Sequence, residues 1–275
     1  MSSSLNVIPQ PHPKIAEWVH RFRYYREPPT ANSIQEWLGL FDNDDLPLAE
    51  KVLDHITILS EGDIHRGYRT ALDSLPGWDK DAAKRTGRWF FVGFGKAGES
   101  GPAMVRLFRE ANDLALQRYD NLFCSLSDLP GLKLTAFDVV VFIDDFAGSG
   151  RQVCTMWPIV QELIASEASC YLVLTAITDK AETQIRENTS LSLTYKLRLE
   201  RQDDVFSDES TLFDEAERTK LLAYGRRADS RNPKGFGNCG LLFVLSHKTP
   251  NNSLPILHVN EERWRGLFPR YLRAV

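Results

Sequence analysis

No apolar run in the sequence approaches the ~20 residues needed to cross a bilayer, so no membrane span is expected. Cysteine is scarce as well. Cys124, Cys154, Cys170 and Cys239 are the four in 275 residues, and they form neither a CxxC pair nor a Cys/His ligand spacing. Zinc sites and a disulfide framework are thereby set aside, and reduced core cysteines of a cytoplasmic protein are expected. Excess positive charge is missing too: the net charge is -4, which supplies no bulk electrostatic footprint for nucleic acid. The opening stretch, MSSSLNVIPQPHPK, lacks a basic region followed by an apolar run, so no secretory signal is expected.

What is present has the texture of a globular chain. From Pro9 to about Asp79 the apolar residues follow a helical period: Ile15, Trp18, Val19 and Phe22, then Leu48, Val52, Ile56 and Leu59. After Trp78 short apolar runs alternate with helix-like segments. The runs are RWFFVGFG (88–95), DVVVFIDD (138–145), CYLVLTAIT (170–178), LSLTYKLRLE (191–200) and CGLLFVLSH (239–247). Helices are expected at 102–116, 150–165, 180–187 and 211–224. Near-continuous apolar strands interleaved with helices predict an α/β fold with a mostly parallel central sheet and helices on both faces. The expected division is an N-terminal helical region, 1–85, and an α/β domain with a C-terminal extension, 86–275.

In such folds ligands collect at the carboxyl ends of the strands. There the stretch VVVFIDDFAGSGRQ places Asp144 and Asp145 after a buried strand. Two like charges beside a core are costly unless something compensates. The turn that follows, Phe146, Ala147, Gly148, Ser149, Gly150, Arg151 and Gln152, leads into a helix; small residues at a helix start let backbone N–H groups approach an anion. A phosphate site next to two carboxylates suits ribose 5-phosphate, whose hydroxyls donate to the acids while the phosphate takes the turn.

Other readings fit less well. A solvent-facing capping pair is at odds with the glycine turn that separates the acids from the helix. A receiver domain needs a further phosphoacceptor aspartate, and the strand ending at Ile177, Thr178 and Asp179 matches that imperfectly. Gly93, Gly95 and Gly98 spell the dinucleotide fingerprint, but the acid about 20 residues on is not convincingly placed. No glycine-lysine-serine/threonine closes a Walker loop.

Strand, Asp-Asp, short spacer and Ser-Gly resemble the phosphoribosyl diphosphate signature of the type I phosphoribosyltransferases. Asp144, Asp145, Ser149 and Gly150 match it, whereas Gln152 stands where a threonine or serine is usual. The resemblance implies a pentosyl-transferring enzyme in which Asp144 and Asp145 hold ribose and residues 146–152 hold the 5'-phosphate. It also implies that the loop Lys96, Ala97, Gly98, Glu99, Ser100 and Gly101 holds the diphosphate, with substrate-bridged Mg2+. Further on, GFGNCGLLFVLSHKTPNNSLPILH (235–258) and WRGLFPR (264–270) resemble the tail of phosphoribosyltransferase-like proteins of bacterial conflict and antiphage systems, retron effectors among them. That implies a defence role, with a reverse transcriptase/msDNA assembly or another defence-system protein as partner. A regulator that senses nucleotides or is gated by a partner, without turnover, is the alternative.

Arg226 and Arg227, with Arg231 and Lys234, are expected in a loop that is either solvated or a lid over the diphosphate. Asn251 and Asn252 are expected to read a base edge or to hold the turn before Pro255. Arg263, Arg265, Arg270 and Arg273 with Trp264, Phe268 and Tyr271 are expected to form a docked C-terminal helix, the alternative being a surface that stacks on bases.

Overall fold

The computed structural model of the chain describes residues 12–95, 100–164 and 167–271. In chain order it contains α1 (Ile15–Phe22), α2 (Ala31–Leu38), α3 (Leu46–His55), β1 (Thr57–Leu59) and α4 (Glu61–Asp73). Next come β2 (Trp89–Gly93), α5 (Ser100–Ala111), β3 (Phe123–Cys124), β4 (Val139–Ile143), β5 (Phe146–Ala147), α6 (Arg151–Glu162), β6 (Ser169–Thr178), α7 (Asp179–Asn188) and β7 (Ser192–Leu199). The chain closes with α8 (Glu215–Ala228), β8 (Phe243–Leu245), α9 (Pro255–His258), β9 (Asn260–Glu261) and β10 (Trp264–Arg265). Among the described residues, contacts group those of 61–211 into one compact unit and 12–60 with 212–271 into another. Both units cross the sequence division at residues 85 and 86, since α4 joins the sheet and the C-terminal segment joins α1–α3.

The first of these units is the α/β body. Its strands run parallel in the order β3-β2-β4-β6-β7, and β5 pairs with β6 beyond the end of β4. Alternate side chains sort to opposite faces, as the two-residue period demands. Phe90, Val92, Val140, Phe142, Leu172 and Leu174 face Val153 and Trp157 of α6 and Ala181 and Ile185 of α7. On the other face Phe91 packs on Phe108 of α5, centroids 5.0 Å apart, and Phe108 meets Tyr68 of α4 at 5.5 Å. A fully buried residue such as Phe142 contributes ~1.5–3 kcal/mol. Helices thus cover both faces, which is why the strands read as unbroken apolar runs.

At the amino end of β4, Asp138 is almost fully buried. Arg88 grips it with two nitrogens, Nε at 2.9 Å and Nη2 at 2.6 Å, and Thr135 N donates at 2.7 Å. These bonds, chiefly that of Arg88, hold the Asp138 carboxyl down at about 2, against an ordinary 3.8. A depressed folded value means that its contribution is complete above the unfolded value and disappears as pH falls through 3.8 toward 2. Asp138→Asn is therefore expected to lower the melting temperature at neutral pH and to flatten the acid limb of a melting curve series below pH 4. An unaltered acid limb would remove Asp138 from that role.

In the other unit three expectations are corrected. The segment 56–59, which the helical spacing of Ile56 and Leu59 assigned to a helix, leaves α3 at His55 and forms β1; the β-branched run Ile56, Thr57, Ile58 prefers extended backbone. The run CGLLFVLSH then contributes β8 to a two-stranded parallel ladder with β1, not to the large sheet. In the same unit Trp18, Phe22, Trp37 and Trp264 are all buried; the indoles of Trp37 and Trp264 both donate to Ile256 O at 2.9 Å. The stretch from Trp264 is a short antiparallel hairpin with β9 rather than a helix. Gly266 lies where a Cβ would come within 2.5 Å of Leu257 O, and Pro269 follows, both hostile to a helix. Among the described residues no helix is long and apolar enough to cross a membrane.

Candidate functional site

The doublet sits where β4 ends, at the carboxyl edge of the sheet. Asp144 is 3% exposed and Asp145 7%. Pairing with β6 runs through the doublet without insertion: Ile143 faces Val173 and Phe146 faces Ala176, so the acids lie across from Leu174 and Thr175. The hydrogen bonds, however, slip. Asp144 N donates to Val173 O at 3.1 Å, and a regular parallel ladder would then send Thr175 N to Asp144 O. Thr175 N instead donates to Asp145 O at 3.0 Å, joined there by Ala176 N at 3.2 Å and Thr175 Oγ1 at 2.5 Å. Asp144 O is left to the hydroxyl of Tyr68, 2.9 Å away.

The carboxylates are held as firmly as the backbone. Asp144 Oδ1 accepts from Ser100 Oγ at 2.6 Å and from Asp145 N at 2.9 Å, while Asp145 Oδ1 accepts from Phe146 N at 2.8 Å. Burial first, and then the charge of Asp145, push Asp144 well above the usual carboxylate range. The same burial raises the Tyr68 hydroxyl. The doublet resists carrying two full charges, and hydroxyl donors or a cation would relieve it.

The turn after the doublet is shaped by glycine and threonine. Gly150 has φ +70° and caps α6; a Cβ there would lie 3.0 Å from Gln184 Cβ and 3.1 Å from Ala181 O. Left-handed backbone and close approach to α7 together require glycine. No capping side chain is formed at Gly150, whereas Thr178 caps α7 and Asp214 caps α8. Thr178 Oγ1 also donates to Gly148 O at 2.5 Å, which ties the turn to α7. Ser149 is half-buried, and Arg151 and Gln152 are exposed on the first turn of α6.

Of the residues singled out in the sequence, Asp144, Asp145 and 146–152 form one continuous β4–β5–α6 connection. Ser100, at the start of α5, reaches that connection through Asp144. Lys96, Ala97, Gly98 and Glu99 lie outside the described residues. Gly101 packs closely, since a Cβ would fall 2.0 Å from Phe94 O. Arg226, Arg227, Asn251 and Asn252 belong to the other unit. Arg226 and Arg227 are in the last turn of α8 and not in a loop; the Arg227 guanidinium lies 5.1 Å from the Tyr224 ring centroid. Positive charge favours that end of a helix, which explains the extension of α8 beyond 224. Asn252 is buried and donates to Phe236 O at 2.9 Å, whereas the Asn251 side chain is exposed.

Sequence reasoning missed Tyr68, Thr175 and Thr178. The two threonines of the apolar run CYLVLTAIT were a usable signal, because a buried threonine needs a partner. Tyr68 gave none, being 76 residues from the carbonyl it holds.

A family model described as PRTase-CE matches residues 34–270, well over half of the chain. No curated protein matches it.

Proposed function

Because the chain belongs to the PRTase-CE family and carries a phosphoribosyltransferase-like fold, we propose that it binds phosphoribosyl diphosphate or a related ribose 5-phosphate nucleotide. One observation carries this reading: a buried acid pair, constrained at both carbonyls, runs without a break into a glycine turn that opens a helix. Asp144 and Asp145 accept from the ribose hydroxyls, and Ser149 with the amides of 146–152 takes the 5'-phosphate. Residues 96–101 hold the diphosphate.

Reaction occurs at the anomeric carbon. The bond to the leaving group lengthens ahead of attack, so the chain's task is alignment and balance of developing charge. Carboxylate and hydroxyl oxygens at the doublet are the hard donors that Mg2+ prefers, and Asp144 and Asp145 are the residues that would hold it. Bound with the diphosphate, it would supply charge neutralisation on the leaving group. By likeness to conflict-system proteins the biological role is antiphage defence, with a reverse transcriptase/msDNA assembly or another defence-system protein as partner.

A non-catalytic sensor is the second reading, favoured by Gln152, which is exposed on α6 where the signature has a hydroxyl. Incubation with phosphoribosyl diphosphate, Mg2+ and a panel of bases separates the two. Release of pyrophosphate with at least one base is the expected result; binding without release in every condition would establish the sensor.

A further inference from the structure

We propose that Tyr68 is a positioning residue for the acid doublet: its hydroxyl holds the Asp144 carbonyl out of the sheet ladder and thereby sets the direction in which both carboxylates face. The inference rests on the sugar-phosphate reading above.

The slipped hydrogen bonds leave the Asp144 carbonyl without a donor from β6. A peptide carbonyl turned out of a ladder inside a protein needs another donor. Nothing on β6 can serve Asp144 O, because Thr175 N and Ala176 N are both committed to Asp145 O. Tyr68 supplies the donor at 2.9 Å from the middle of α4. Its residue is fully buried, in a helix face otherwise made of Ile64, Gly67, Ala71 and Leu72, and its ring packs edge-on to Phe108. For packing alone phenylalanine would serve as well or better, since a buried hydroxyl is costly unless bonded. The hydroxyl therefore has its use at the other end of its bond, on the peptide that joins Asp144 to Asp145. Rotation of that peptide moves both side chains together. Ser100 on the carboxylate and Tyr68 on the carbonyl grip the same residue from α5 and α4.

Tyr68→Phe keeps the ring and removes only the bond. Calorimetry with ribose 5-phosphate, 2-deoxyribose 5-phosphate and inorganic phosphate reads the consequence, with a thermal melt to verify folding. The variant is expected to bind ribose 5-phosphate about threefold to tenfold more weakly, to bind inorganic phosphate as the unmodified chain does, and to lose discrimination between the two sugars. A residue that merely supports the fold would weaken all three ligands together, and that outcome overturns the proposal. So does intact sugar discrimination in Tyr68→Phe when Asp144→Asn with Asp145→Asn abolishes it; the sugar-phosphate reading then survives. If the double variant itself keeps the discrimination, the sugar-phosphate reading fails, and this inference with it.

Discussion

Replacement of Asp144 and Asp145 together by asparagine is expected to weaken binding of ribose 5-phosphate by at least ~1.5 kcal/mol, about tenfold or more in Kd, through loss of charged hydrogen bonds. The fold should tolerate the change. In each acid the oxygen engaged by Ser100 or by backbone N–H is Oδ1, and asparagine keeps that acceptor. What disappears is charge held in a buried place. An acid whose folded value is raised is favoured in the folded chain only while it keeps its proton. As pH climbs above the ordinary 3.8, the unfolded chain ionises first and folding loses ground until the folded acid ionises too. The double variant is thus expected to melt at a higher temperature than the unmodified chain near neutrality, with the difference shrinking as pH falls toward 4. Binding lost while stability rises is the mark of a site that sacrifices stability for its ligand. Unchanged affinity in calorimetry would remove the ribose assignment, and a lowered melting temperature would show that the acids support the fold.

The second large effect concerns Gly101. Its missing side chain lets the first turn of α5 close onto the end of β2: a Cβ would lie 2.0 Å from Phe94 O and 2.6 Å from Phe94 N. Gly93 answers from the strand, where a Cβ would be 2.7 Å from Gly101 C and from Pro102 N. Every one of these atoms is backbone, so no side chain can swing aside. Gly101→Ala is expected to destabilise the chain by about 3 kcal/mol, at the upper end of overpacking effects, or to prevent folding. Gly131→Ala is the control, because nothing lies within 4 Å of a Cβ there; it should change stability by no more than about 0.5 kcal/mol. Urea denaturation of both variants decides the matter, and equal midpoints would sink the argument.

How much of this was legible in the sequence depended on the range of the interactions. The apolar runs, the acid doublet and the glycine turn are local features, and the structure places 144–152 as one strand end, turn and helix start. Segment 56–59 misled because apolar spacings of three and four residues are shared by a helix and by a helix followed by a strand; the β-branched triplet was the better guide. Around Trp264 the aromatic spacing suggests a helix, whereas Gly266 and Pro269 argue against one. The partnership of β1 with β8, the grip of Tyr68 on Asp144 and that of Ser100 on the same acid join positions 44 to 186 residues apart in sequence. No periodicity encodes such pairs. They arise when buried polar groups left over from local structure find one another during packing.

The register that β4 and β5 keep against β6 on either side of the doublet works as a ruler for the crevice. Leu174 and Thr175 allot two places, no more and no fewer, to whatever residues stand opposite them. Chemistry at those places is open to exchange, but one residue added or deleted would throw Phe146 and all that follows to the wrong side of the sheet. Redesign of this pocket must therefore proceed by swapping letters, never by changing their number.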